Sequence, residues 1–265
     1  VLADLFIMIG LGRILLDKGQ HLWPLWVYAL HPLPIIENAW SAHIDTLALA
    51  LAVWGLWAWN RKYYAVGVGL TTLGVGTKLF PILWLPAMFF RTRTPHIWAG
   101  LGLGLLAILW SAWPLLTTDM AALNAWGIFG KHWEFNGFAY PWLSVFFGST
   151  TRPILLAIAA LACGTIYWRA QTITDLWFGL ALVFVLTTPT VHPWYALWLL
   201  IPSILTQRTG TMMACVFVLN GYAVLLGLSS DGEWIAPAWL WWATWIPFLI
   251  ATSFDTPLWR SEDPT

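Results

Sequence analysis

Charge is what this sequence has least of. Only 24 of its 265 residues are Asp, Glu, Lys or Arg, and they cancel to a net charge of zero. A soluble domain of this length carries about 66 such residues. The shortfall excludes a disordered chain, a nucleic-acid binder and an ordinary soluble domain, because each needs charge for solvation or for holding phosphate. With a zero balance, net charge gives no sign of an anionic partner. Cysteine is nearly absent as well. Cys163 and Cys215 both sit in apolar runs and read as buried thiols, with no disulfide or metal framework. The opening apolar run is not expected to be a signal peptide. The chain starts at Val1 without an initiator Met, and Leu5 to Ile9 is already apolar with no charged n-region before it. The natural N-terminus is therefore expected upstream, a processed chain being the alternative. No repeat of 20–50 residues is visible, which excludes a solenoid, and no inverted repeat of the transporter kind can be seen.

What replaces charge is apolar and aromatic. The chain is 60% hydrophobic, has a mean hydropathy of +0.72 and contains 23 Trp. Charge is costly in hydrocarbon, and Trp favours the membrane–water interface, so the composition predicts an all-α, polytopic transmembrane bundle forming a single domain over 1–265. About eleven short or broken membrane segments can be marked: 2–16, 21–35, 44–59, 63–77, 79–90, 96–116, 153–169, 174–188, 193–207, 211–228 and 236–252. Several fall short of the ~20 residues that cross a bilayer straight. Pro24, Pro32, Pro81 and Pro86 predict broken or re-entrant helices.

The basic residues orient the chain. If 63–90 is a hairpin with Lys78 at its outer tip, then Arg13, Lys18, Arg61, Lys62, Arg91, Arg93, Arg169, Arg208 and Arg260 all fall inside. Only Lys78, Lys131 and Arg152 stay outside. Reading 63–90 as one span would move five of the inner arginines outside, so the hairpin is preferred. The largest loop, 117–152, then lies outside, and its mix of aromatic and charged residues predicts an amphipathic helix on the outer leaflet.

Three stretches carry chemistry. The first runs from Glu37 through Asn38, Ser41 and His43 to Asp45. It reads either as capping of the segment that starts at 44 or as two acids and a His lining a site. The second, Gly74 to Pro81, sets Lys78 between apolar runs, either as a snorkelling side chain or as a phosphate contact. It does not match the GxxxxGK[ST] phosphate loop. The third, Pro189 to Tyr195, holds His192 between two prolines, either within an aromatic belt or as an anion-binding or proton-handling group. His43, Asp45 and His192 are legitimate metal-ligand types, but no ligand spacing supports a metal, and no nucleophile elbow is present. No cofactor is expected.

Taken in order, HPLPIIENAWSAHIDTLALAL (31–51), AVGVGLTTLGVGTKLFPILWLP (65–86) and TPTVHPWYALWLLIP (188–202) resemble the GT-C class of integral-membrane glycosyltransferases. The closest likeness is to bacterial polyprenol-phosphate-mannose-dependent mannosyltransferases. The likeness covers roughly 1–207, with His31 standing where the family has Asn before Pro32. It implies an inverting transfer of a sugar, expected to be mannose, from a polyprenyl-phosphate donor to a glycolipid or cell-wall glycan. The reaction would take place at the outer face of a bacterial plasma membrane, without metal or nucleic acid. It implies Lys78 and His192 as contacts of the donor phosphate, and His43, Lys131, Trp194 and Tyr195 as substrate contacts. The family's catalytic acid belongs to an outer loop upstream of Val1, which leaves Asp45 and Glu37 as the catalytic carboxylates in this chain. A transporter or lipid flippase is the competing reading, and a non-catalytic subunit of the same fold is a third. Polar groups collected at one face, rather than at the midplane, favour the enzyme.

Overall fold

The computed structural model describes residues 1–92, 94–116, 132–227 and 236–255. Among these residues the chain is helical, and the only extended pairing is a pair of isolated bridges from Phe135 and Asn136 to Thr190. Helices occupy every one of the expected apolar segments. Two of them, His96–Trp113 and Tyr140–Arg169, are long and apolar enough to cross a membrane, or three if Pro32–Trp40 and Asp45–Asn60 are counted as one broken span. The two long helices expose large apolar side chains, such as Trp110 at 85% and Leu161 at 75%. That pattern is compatible with a membrane protein.

The chain forms two compact units, Val1–Leu22 with Ala42–Glu134, and Trp23–Ser41 with Phe135–Thr265. In the first unit, Leu2–Asp17 packs on Asp45–Asn60, which packs on Tyr64–Thr77, which packs on His96–Leu116. Small residues permit this closeness. A methyl group at Gly67 would stand 3.0 Å from the Gly55 carbonyl, and one at Gly100 would collide with the Ala65 carbonyl. Close backbone approach through small residues is how helices gain contact where surrounding lipid is as apolar as they are. At one end of this unit Asp17 accepts from the Trp57 indole at 3.1 Å and pairs with Arg61 at 3.5 Å.

The second unit centres on Leu197–Leu205, a helix buried at every position. Pro202 lies inside it and cannot donate to the carbonyl four residues back. That carbonyl, of Trp198, instead accepts the indole N–H of Trp177 at 2.9 Å. The same arrangement recurs in Leu240–Thr252. Pro247 frees the carbonyl of Ala243, which accepts from Asn220 at 2.9 Å. Ile173–Thr187 begins with a capping box between Thr172 and Asp175. The start of Thr209–Ala214 is capped from a distance, since Asp255 accepts from the backbone N–H of Gly210 at 2.7 Å, from that of Thr211 at 2.8 Å and from the Thr211 hydroxyl. Arg208 lies over the Phe178 ring at 4.6 Å. Burial pulls its pKa down, while Asp255 and Asp175 support its charge.

Three of the four expected proline breaks are present. Pro32 starts a new turn, Pro81 sits in a 3₁₀ turn over Phe80–Leu83, and Pro86 opens Leu85–Phe90. Pro24 breaks nothing. It lies in the first turn of Trp23–Leu30, where a missing N–H costs no helical bond. Of the expected interfacial loop 117–152, residues 117–131 lie outside the described residues. The rest includes exposed His132, Trp133 and Glu134 and the helix Tyr140–Phe147, which buries none of its residues. Cys215 is buried as expected, whereas Cys163 is half-buried.

Candidate functional site

In the first unit the structure brings His43, Asp45 and Lys78 together. Asp45 opens the helix Asp45–Asn60, and Lys78 follows the last residue of Tyr64–Thr77. Each charge therefore sits at the helix end that favours it, the acid at an N-terminus and the cation at a C-terminus. Lys78 adopts extended backbone, so the helix stops there, and a 3₁₀ turn over Phe80–Leu83 follows. Its ammonium donates to Asp45 Oδ2 at 3.0 Å. The carboxylate is 1% exposed and the lysine 33% exposed, so one partner is buried and the other reaches the surface. A carboxylate this deep is tolerated because a cation compensates it. Its placement suits holding Lys78 better than meeting a substrate directly.

His43 lies just before this helix and is partly exposed, and its backbone carbonyl accepts from the Thr46 hydroxyl at 3.1 Å. Burial holds its imidazole below the ordinary value. The Asp45 carboxylate opposes that shift and the Lys78 ammonium adds to it. At neutral pH His43 is thus a neutral ring beside an ion pair, able to donate from one nitrogen and accept at the other.

In the second unit two groups form. Glu37 sits on a π-helical turn, Ile35–Trp40, that continues from Pro32–Pro34. It is wholly buried, and the Tyr222 hydroxyl lies 2.9 and 3.0 Å from its two oxygens. Next to it, buried Asn38 donates to the Tyr28 hydroxyl at 3.3 Å. The turn is anchored by His31. Its Nδ1 accepts from the Leu33 N–H at 3.1 Å, and its Nε2 faces the Met212 carbonyl at 3.0 Å. A π turn widens the helix and re-aims a side chain, and such turns concentrate at functional sites.

The other group is built on His192, Trp194 and Tyr195. His192 is extended ahead of Pro193, as proline requires of its predecessor. Its ring stacks on Trp194 at 4.3 Å and on Phe135 at 5.2 Å, with Tyr195 edge-on at 5.6 Å. The chain segment carrying Phe135 is tied to this loop, since the Phe135 N–H donates to the Pro189 carbonyl and the Val191 N–H to the Phe135 carbonyl. An imidazole stacked on two aromatic rings is held in a fixed orientation.

Of the residues singled out in the sequence, His43, Asp45 and Lys78 thus form one cluster, His192, Trp194 and Tyr195 another, and Glu37 a third with Tyr222. Lys131 lies outside the described residues. Among the described residues no three His, Cys, Asp or Glu side chains are grouped to hold a metal. Sequence reasoning missed Tyr222 and Phe135. A lone tyrosine beside Asn220 inside an otherwise apolar run was the available signal, because polar groups at such depth are there for a partner. Comparison of this chain with protein-family profiles, with curated proteins and with solved structures returns no match.

Proposed function

We propose that this chain is an integral-membrane glycosyltransferase. On this reading it moves a sugar, mannose in the first instance, from a polyprenyl-phosphate donor to a glycolipid or cell-wall glycan at the outer face of a bacterial plasma membrane. The observation that carries the reading is the Asp45–Lys78 pair, with its ammonium at the surface and its carboxylate buried behind it. A lysine held in this way is a preorganised cation. A phosphate leaving group gains charge in the transition state and needs such a partner fixed in advance. Within the second unit, His192 is a hydrogen-bonding group held by aromatic rings, and Trp194 and Tyr195 are aromatic rings of the kind on which a sugar can stack. Glu37 and Asp45 are buried, which suits proton storage and charge placement more than direct attack on a sugar hydroxyl.

The test is transfer of radiolabelled sugar from a synthetic polyprenyl-phosphate mannose by the purified chain in lipid nanodiscs. Glucose- and arabinose-bearing donors run in parallel. Lys78→Ala and His192→Ala should each lose most of the transfer while the protein still inserts. Wild-type transfer by both variants would end this assignment of the site. The transporter reading is favoured by one observation, the wholly buried Glu37 with its tyrosine. It predicts instead movement of the intact lipid-linked sugar between leaflets, with no new glycosidic bond.

A further inference from the structure

A stacked ring keeps its orientation only as well as its neighbours are held. His192 stacks on two rings of different origin. Trp194 belongs to the turn Pro193–Ala196, which His192 itself precedes. Phe135 comes from a separate strap, 135–138, more than fifty residues earlier in the chain. One edge of the strap is fastened to the loop that carries His192. The Phe135 N–H donates to the Pro189 carbonyl at 3.1 Å, and the Val191 N–H donates to the Phe135 carbonyl at 2.7 Å. The approach is close, since a methyl group at Gly137 would stand 2.7 Å from the Pro189 oxygen. Asn136 turns the strap with a φ of 49°, in the left-handed region where Asn is enriched among residues other than Gly.

The other edge is fastened to the helix Leu240–Thr252. Trp241 and Trp245, four residues apart, share one face of that helix. Their indole N–H groups donate to the carbonyls of Phe138 at 3.0 Å and of Asn136 at 3.1 Å. The Asn136 side-chain amide donates to the Thr244 hydroxyl at 3.3 Å. Thr244 and Trp245 are wholly buried, so this anchor is fixed in the packing of the second unit, to which all these residues belong.

From this connection we infer that Thr244 and Trp245 are positioning residues for His192. They hold Asn136, Asn136 fixes the neighbouring Phe135, and Phe135 sets the plane of the imidazole and hence where its nitrogens point. The helix Leu240–Thr252 lies beyond the stretch 1–207 that carries the transferase likeness, so the site draws on a part of the chain which that likeness does not reach. The consequence for transfer rests on the transferase reading, whereas the aiming of His192 does not.

The experiment is NMR of the full chain in lipid nanodiscs, isotopically labelled in histidine alone. His192→Gln assigns the His192 ring signals. Protons held against an aromatic face are shielded, so Phe135→Leu defines the shift that follows when that face is lost. Trp245→Phe keeps a ring and removes the N–H donor, and it should move the His192 signals in the same direction by a comparable amount. Should Trp245→Phe fail to fold, Thr244→Val, which removes only the hydroxyl acceptor of Asn136, decides the matter by the same shift. His192 signals that stay at their wild-type positions in the folded variant overturn the inference. Transfer from polyprenyl-phosphate mannose is measured on the same samples. The displaced variant should lose about tenfold or more in kcat with KM little changed, because a misaimed group fails in the transition state. An unchanged kcat beside displaced signals would overturn the role in transfer. Displaced signals in a chain whose wild type transfers nothing support the aiming of His192 and count against the transferase reading, so the two fail separately.

Discussion

His31 joins two parts of its unit through opposite edges of one ring: Nδ1 accepts from the Leu33 N–H, and Nε2 donates to the carbonyl of Met212, 181 residues away in sequence. Because Nδ1 accepts, the proton must reside on Nε2, and the neutral tautomer is the one that completes both bonds. His31→Asn keeps a side-chain acceptor for Leu33 and loses the reach to Met212, so it should cost about 1 kcal/mol. His31→Phe loses both bonds and should cost roughly twice that. Thermal unfolding in detergent ranks the two variants, and equal losses would mean that only one of the two bonds matters.

The Asp45–Lys78 pair predicts a sign pattern. Lys78→Met leaves a buried carboxylate without this cation and should destabilise by about 3–5 kcal/mol. Adding Asp45→Asn should recover much of that loss, because the charge needing compensation is gone. Transfer activity, if present, should not return in the double variant. A double variant as unstable as Lys78→Met would show that the pair matters for packing rather than charge.

His192 separates packing from chemistry. His192→Phe retains the stack between Phe135 and Trp194 but removes both nitrogens. His192→Ala removes the stack as well, at about 1–3 kcal/mol for two ring contacts. The transferase reading expects transfer to fall on the order of 10²-fold or more in both variants, with His192→Phe keeping near-native stability. Full transfer by His192→Phe would reduce the residue to a spacer.

His43 gives a pH dependence. Its pKa in the folded chain lies below the ordinary 6.5, so the unfolded chain binds more protons than the folded one in that window. Stability from this group is complete above pH 6.5 and is lost as the pH falls from there through the folded value. His43→Gln should flatten the acid side of the stability curve below about pH 6.5 and change little at pH 8. An unaltered acid limb would exclude the effect.

Trp177 and Pro202 are coupled through a carbonyl that neither owns. Trp177→Phe strands the Trp198 oxygen and should cost about 1–3 kcal/mol. In a Pro202→Ala background a backbone N–H is again present to satisfy that oxygen, so Trp177→Phe should cost less there. A double-mutant cycle measures the difference, and strict additivity would refute the coupling.

Much of the helical framework is readable in the amino-acid order, because it is written locally. Asp45 begins a helix, Lys78 and Pro81 end one, and Pro32 starts another turn, each through chemistry confined to a few neighbours. The partners are a different matter. Asp45 and Lys78 stand out singly as costly charges, yet their pairing across 33 residues depends on two helices meeting end to start. Tyr222 meets Glu37 across 185 residues, from the middle of an apolar run. Periodicity says nothing of that, because uniformly apolar helices have no polar face to show which side meets which neighbour. The two proline-freed carbonyls are half-legible. Pro202 and Pro247 announce that an acceptor is open, but not that Trp177 and Asn220 will fill it.

The cap that Asp255 places on Gly210 and Thr211 has a consequence in time. The N–H groups it satisfies are 45 and 44 residues upstream of it, so during synthesis they wait for their partner to be made. At about 5–20 residues per second that wait is about 2–9 s. Throughout it, the start of the Thr209–Ala214 helix has these donors unclaimed by Asp255, while the Leu240–Thr252 helix is still being added. The cap is therefore completed only after the Leu240–Thr252 helix has been made, and Asp255 ties the start of Thr209–Ala214 to the end of that helix.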